Sequence, residues 1–274
     1  MSVLAVIVLG VALGVVALLA RAKHRQIWRE IFGVRREVAA LRRELITARK
    51  EIVLAGIREE SHLPLMMPSQ NGEDLLLWEF FGARTNGFYV EVGAYDGVGF
   101  SNSYFFEAVG WRGVLVEAVP ESYRAAVTAR PNSRVVHAAA GSRKGSIRVT
   151  VVEGGGGVGT LSSATPDLSR IRREGGRTRE VEVPLVPLTD LLVDVNEPID
   201  FVSIDVEGYE LAVLEGFDVD RFAPRVLVIE DNSNGVDGRV AERLAKHGYV
   251  ERCRLEQNAF YTHRDDARAM GWPR

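Results

Sequence analysis

The 274-residue chain is 46% hydrophobic and 26% charged, carries a formal net charge of −3 and holds one cysteine, Cys253. That balance is the one expected of an ordinary globular protein, with room for one α/β domain behind an N-terminal segment. It excludes a disulfide framework or a cysteine-built zinc site and favours a reducing compartment; with no long basic run, it also argues against nucleic acid as a partner.

From Val3 to Ala20 no residue is charged, and nearly all are Val, Leu, Ile or Ala. Eighteen residues at about 1.5 Å rise reach roughly 27 Å, enough for a bilayer core. Arg21, Lys23, Arg25 and Arg29 follow at once. The positive-inside rule then sets the N-terminus outside and the rest of the chain in the cytoplasm, so residues 1–21 are expected to be a single-pass membrane anchor. A cleaved signal peptide would want a basic start and a shorter apolar stretch.

Ile27, Ile31, Val34, Val38, Leu41, Leu45, Ala48, Ile52 and Ala55 recur at alternating spacings of four and three. That is a heptad seam over about four heptads. It predicts a helical stalk over 22–60, pairing two chains as a short parallel coiled coil and hence a homodimer. The other reading is an amphipathic helix packed on its own domain. Residues 61–68, with two prolines, read as a linker, and 69–274 as the soluble domain.

Within that domain a helix is expected over Ser69–Phe81. Strands are expected at Gly87–Val92, Gly113–Glu117, Arg134–Ala139, Ile199–Ile204 and Arg225–Glu230. Helices fall between several of them, at Ser101–Val109, Pro120–Ala129, Tyr209–Gly216 and Val236–His247. Apolar strands alternating with helices indicate an α/β fold, a parallel sheet with helices on both faces. Ile147–Val152 reads as a β-hairpin arm, Gly154–Arg179 as a long loop, either lid or disordered, and Tyr249–Arg254 with Ala259–His263 as a closing antiparallel pair.

The turn after the first strand reads Glu91-Val-Gly93-Ala94-Tyr-Asp96-Gly97. Glycines there let a ligand approach the backbone. Glu91 and Asp96 would repel a pyrophosphate, which wants bare N–H groups, and suit the ammonium and sulfonium of S-adenosylmethionine. Glu117, at the tip of the second strand and 20 residues beyond Gly97, can accept both hydroxyls of a ribose. Ala138-Ala139-Ala140, at the end of the third strand, is a small-residue wall for an adenine, with Ala139 its representative. At the end of a later strand, Asp205 and Glu207 sit where ligands bind in an open sheet. Either is a candidate general base for an unactivated hydroxyl, and Asp205 could instead hold the cofactor's ammonium. Asp205, Glu207 and Glu230 could also hold Mg²⁺, but no further ligand is identifiable and no metal is assigned.

Gln70 to Asp74, the turn Glu91 to Gly97, Ser101-Asn102, Gly110-Trp-Arg-Gly113, Glu117 and Ile204-Asp-Val-Glu-Gly-Tyr-Glu210 together resemble the FkbM-type methyltransferases, over about Ser69 to His263. The resemblance implies a class I methyltransferase, Rossmann-like fold and S-adenosylmethionine-dependent O-methylation of a hydroxyl on a sugar, glycolipid or related metabolite. It adds Gln70 and Asn102 to the cofactor residues Glu91, Gly93, Ala94, Asp96, Gly97, Glu117 and Ala139. The family commonly has Pro after the second-strand acid, whereas here Ala118 stands there and Pro120 follows, which leaves the shape of the ribose loop open but not the class. The anchor and the stalk lie outside the resemblance. A different class of function is a non-catalytic membrane scaffold that keeps the fold.

Other conspicuous residues take plainer readings. His137 is a satisfied strand residue, His247 a favourable charge near a helix C-terminus, and Trp78 and Trp111 are packing. The arginines at 170, 172, 173, 177 and 179 are a solvated loop face or a site for an anionic acceptor or headgroup.

Overall fold

The computed structural model describes Val34 and residues 36–57, 63–153, 162–166, Ile171, 177–233 and 235–266. It divides into two compact units, Met1–Glu51 and Ile52–Arg274. The expected anchor at 3–20 and the first heptad positions, Ile27 and Ile31, lie outside the described residues. Among the described residues no helix is long and apolar enough to cross a membrane. Helix α1 runs over residues 36–56, Val34 is also helical, and Val34, Val38, Leu41, Leu45 and Ile52 are exposed.

In the second unit the helix expected from Ser69 begins later. Ser69 and Asp74 exchange hydrogen bonds between backbone N–H and side-chain oxygen (3.0 and 3.3 Å), and Gly72 turns the chain at φ 95°. Only then does α2 (Glu73–Phe80) start. A seven-stranded sheet follows, β1 (Phe88–Val92), β2 (Arg112–Glu117), β3 (Arg134–His137), β7 (Phe201–Ile204), β8 (Val226–Glu230), β9 (Tyr249–Leu255) and β10 (Asn258–His263), in the order β3-β2-β1-β7-β8-β10-β9. The pairs β1–β2, β2–β3, β1–β7 and β7–β8 are parallel, and β10 runs antiparallel to β8 and β9.

The strand cores are buried on both faces because alternate residues feed two cores. Val90, Val92, Val114, Val116, Val202, Ile204, Leu227 and Ile229 enter one. Tyr89, Leu115, Phe201, Val226, Val228 and Phe260 enter the other, where Trp78 and Trp111 also pack. The chain leaves β1 for β2 on one side and returns to β7 on the other. A switch point of this kind opens a crevice beyond the carboxyl ends of the strands.

Two expectations change beside the third strand. β3 stops at His137, and Ala139–Gly141 forms β4 of a separate three-stranded sheet, β4-β6-β5. The arm expected at Ile147–Val152 is β5 (Gly145–Glu153), paired antiparallel with β6 (Arg177–Pro187). Strand β6 therefore begins inside the stretch expected as loop, Gly154–Arg179. Val183 and Leu185 are buried against Val149 and Val151, while Glu180 and Glu182 alternate outward, a strand period masked by the arginines that precede it.

Candidate active site

A cavity of about 280 Å³ opens at the carboxyl ends of β1, β2, β7 and β8. It brings together Gln70, Glu91, Gly93, Ala94, Asn102, Glu117, Ala139, Asp205 and Glu207, and it does not include Asp96 or Gly97.

Asp96 builds its own turn: one carboxylate oxygen accepts from the N–H of Val98 (2.9 Å) and of Gly99 (2.7 Å). Gly97, at φ 81°, is a packing glycine, since a Cβ there would sit 2.9 Å from Arg130 Cγ and 3.0 Å from Ala126 Cα. Glu91 lines the cavity but is already engaged. It accepts from Asn102 N–H (2.8 Å), Ser101 Oγ (2.8 Å) and Ser103 Oγ (2.6 Å), and Arg130 Nη1 lies 3.7 Å away. The expectation that Glu91 and Asp96 present bare charge to a cation is therefore corrected. Their carboxylates shape the turn, as short loop acids often do.

Arg130 was not legible in the sequence. Its side chain is fully buried beneath the turn, donating to Glu107, Gly97 O, Tyr89 Oη and Ser103 Oγ at 2.6 to 2.9 Å. A buried guanidinium with its donors satisfied and its charge matched by Glu107 and Glu91 is costly to disrupt, so it fixes the turn from below. Asn102 links the turn across to β7, donating from Nδ2 to Ser203 Oγ at 2.9 Å. Gly93 is the close contact of the site. At φ 88° it leaves room for Asp205 O, which a Cβ would meet at 1.7 Å.

Glu117 closes the cavity opposite. Its two oxygens take the N–H of Tyr95 (2.8 Å) and of Val119 (2.7 Å). Burial outweighs those bonds and pushes its carboxyl up to about 7. A carboxylate has about four acceptor positions, so capacity remains for a diol. Ala138, Ala139 and Ala140 supply the small wall behind it. His137 stacks on the Tyr123 ring at 4.9 Å and its Nε2 pairs with Ala118 O, in keeping with its plain reading.

The floor is acidic. The register pairing Ile204 with Ile229 sets Asp205 and Glu230 side by side at the ends of parallel β7 and β8. Glu207 (φ 51°) and Gly208 (φ 98°) turn the chain back, and Glu210 clamps that turn by accepting from the N–H of Val206 (3.1 Å) and Gly208 (2.9 Å). Asp205 is exposed by surface area because the cavity reaches it, yet protein surrounds it closely. That enclosure, and then the charge of Glu207, raise its carboxyl to about 7. Burial and then the charge of Asp205 raise Glu230 to about 10.

The loop through 162–166 adds Ser163, whose hydroxyl donates to Glu207 O (2.8 Å). The turn before β10 adds Gln257, and β10 opens with Asn258. Neither Ser163 nor this pair carries a local pattern that singles it out, although the loop holding Ser163 is expected from sequence as a lid or disordered segment. Of the loop arginines, Arg179 is held by Glu121 at 2.7 Å.

A model of the methyltransferase FkbM domain matches residues 91–251, more than half of the chain and the span that supplies most of the cavity's lining. The chain belongs to that family. The methyltransferase therefore uses S-adenosylmethionine as methyl donor, and the observed Glu117 carboxylate, alanine wall and Gly93 turn fit its adenosine half. No curated protein matches the sequence. Solved structures with a similar path include a putative RNA methyltransferase from Pyrococcus horikoshii (13% identical, TM-score 0.40, covering 80% of this chain and 98% of that one). Aeropyrum pernix fibrillarin bound to S-adenosyl-L-methionine is 14% identical, with a TM-score of 0.38 and coverage of 65% and 67%. A TehB-like methyltransferase from Corynebacterium glutamicum is 13% identical, with a TM-score of 0.38 and coverage of 80% and 96%. These likenesses are remote.

Proposed function

We propose that the protein is an O-methyltransferase acting on a hydroxyl of a sugar, glycolipid or related metabolite. Residues 1–21 anchor it in a membrane with the catalytic domain in the cytoplasm, and the helical stalk over 22–60 pairs it with a second copy. The observation that carries the catalytic reading is the pairing, within one cavity, of Glu117 at the ribose end with the Asp205–Glu207–Glu230 carboxyls across from it. The cofactor, when bound, supplies a methyl group already activated by its sulfonium. The chain's task is then to hold an acceptor oxygen in place and accept its proton. Asp205, raised to about 7, is matched to neutral pH as such a base, with Glu207 beside it. Gln257 lines the same cavity and is available to orient a hydroxylated acceptor, whereas Asn258 donates from Nδ2 to Glu73 at 2.7 Å and Gln70 stays with the cofactor residues.

A membrane anchor motivates a lipid-linked or membrane-adjacent acceptor, since tethering raises the effective concentration at the bilayer. The scaffold reading has no observation in its favour, because side chains do not fill the cleft. The test is calorimetric titration of the full-length protein with S-adenosylmethionine, followed by transfer of labelled methyl groups to membrane lipid and glycan extracts. Binding, with label retained in a carbohydrate-bearing fraction and lost in Asp205→Asn, supports the reading. Absence of cofactor binding to the folded protein defeats it.

A further inference from the structure

The acidic floor poses a problem that the methyl donor does not solve. Asp205, Glu207 and Glu230 each place a carboxylate oxygen within 4.8 Å of the others. Glu230 is 8% exposed, and among the described residues its buried Oε2 meets no hydrogen-bond donor other than the neighbouring carboxyls of Asp205 and Glu210. Its neighbours here, Asp205 and Glu210, are acceptors as well. Among the described residues no lysine or arginine forms an ion pair with Asp205 or Glu230; the nearby Arg254 is engaged by Asp231 and Glu251, each at 2.9 Å. A buried acceptor facing acceptors is stable only if a positive species sits between them. That species is either a shared proton or a metal ion.

We propose that Asp205, Glu207 and Glu230 hold a hard divalent cation of the Mg²⁺, Mn²⁺ or Ca²⁺ class. All three donors are carboxylate oxygens, the ligand type such ions prefer, with no sulfur or imidazole among them. The spacing fits. Oxygens on opposite sides of Mg²⁺ stand about 4.2 Å apart, and across Ca²⁺ about 4.6–5.2 Å, so an envelope of 4.8 Å encloses such an ion with small rotations of the carboxyls. The backbone is built to assemble the three. Asp205 and Glu230 are neighbours across parallel strands, and Glu207 is swung inward by two successive positive-φ residues that Glu210 clamps. Three protein oxygens leave about three positions of a six-coordinate shell, and the cavity that these residues line also holds the Glu117 end of the cofactor cleft. An acceptor with two neighbouring oxygens, such as a vicinal diol of a sugar, would complete the shell and be oriented by it. A bound cation would lower the Asp205 carboxyl from its raised value and would acidify a coordinated hydroxyl, so the acceptor's proton would pass from a more acidic hydroxyl to a weaker base. The acceptor class rests on the methyltransferase reading, whereas the cation site itself does not.

The test uses full-length protein in detergent, freed of metal with chelator, and Mn²⁺ as the probe. Loss of the free Mn²⁺ electron paramagnetic resonance signal should report one ion per chain, displaced by Mg²⁺ or Ca²⁺. Glu230→Gln keeps the side-chain shape and should weaken binding by about tenfold or more, whereas Glu182→Gln, on the exposed arm, should leave it unchanged. Cofactor binding is titrated on the same samples. Protein that binds S-adenosylmethionine but no Mn²⁺ overturns the cation site and leaves the methyltransferase reading standing; the floor is then a proton-sharing set. Protein that binds Mn²⁺ stoichiometrically through Glu230 supports the site even if the cofactor fails to bind. Equal Mn²⁺ binding in wild type and Glu230→Gln also overturns it.

Discussion

At the scale of single residues, Glu117 is set between opposing influences. Burial raises its carboxyl to about 7, while the N–H groups of Tyr95 and Val119 stabilise the ionised form. A ribose diol donating to the same oxygens favours the carboxylate further. Cofactor binding should therefore release a proton at neutral pH. The sign follows from linkage. The ligand prefers the ionised group, so affinity rises as pH increases through about 7 and levels off above it, with a limiting slope of about tenfold per pH unit below. In Glu117→Ala two hydrogen bonds to a charge are lost, so affinity should fall about 10- to 100-fold and its pH dependence in this window should flatten. Calorimetry at several pH values checks both features. A mutant that keeps the wild-type slope would show that another group, Asp205 first among them, carries the linkage.

The turn between β1 and α3 (Tyr104–Ala108) shows at the scale of elements what the sequence could disclose. Its glycines were legible as a place where something approaches the backbone, and the structure separates them. Gly93 admits Asp205 O from the neighbouring strand end, whereas Gly97 admits Ala126 and Arg130 from below. Gly93→Ala forces a Cβ to 1.7 Å from that carbonyl and demands φ 88° of a non-glycine residue. The end of β7 must then move, and Asp205 with it. We expect the variant to lose cofactor binding and to unfold at lower denaturant concentration than wild type, with both read on one preparation. Unaltered binding would mean that the strand ends tolerate separation, and the site would be looser than described. The parallel strands were legible because each is a short apolar run ended by a turn signal. Strand β6 was not, because its period-two pattern at Val181, Val183 and Leu185 follows directly on charged loop residues. Arg130, between Ala129 and Pro131, has no local pattern to distinguish it from a solvated arginine. Only the tertiary fold brings Glu107, Glu91 and Tyr89 around it. The charges of Glu91 and Asp96 were visible, but their partners, the N–H and hydroxyl groups of the turn itself and Arg130, were not.

At the scale of the whole molecule, helix α1 and Val34 before it carry an apolar stripe that water does not favour. Leu41 and Leu45 are 64% and 61% exposed, and Val34, Val38 and Ile52 are exposed with them. Five large apolar side chains at heptad positions on one face exceed what scattered surface hydrophobics require. A second parallel copy would bury the stripe as a seam. Alanine at positions 48 and 55 thins that seam, so the central leucines carry much of it. Each is worth about 1.5 kcal/mol or more on burial. Replacing both with glutamate removes four leucines per pair and sets like charges against one another across the interface. The dimer dissociation constant should rise by at least about a thousandfold, so sedimentation velocity of the detergent-solubilised chain should shift from two copies to one. Cofactor affinity per chain should stay unchanged, because the cavity is built from residues 70 to 258. A wild-type protein that sediments as a single copy, or a double mutant that stays paired, would place the partner of this stripe elsewhere.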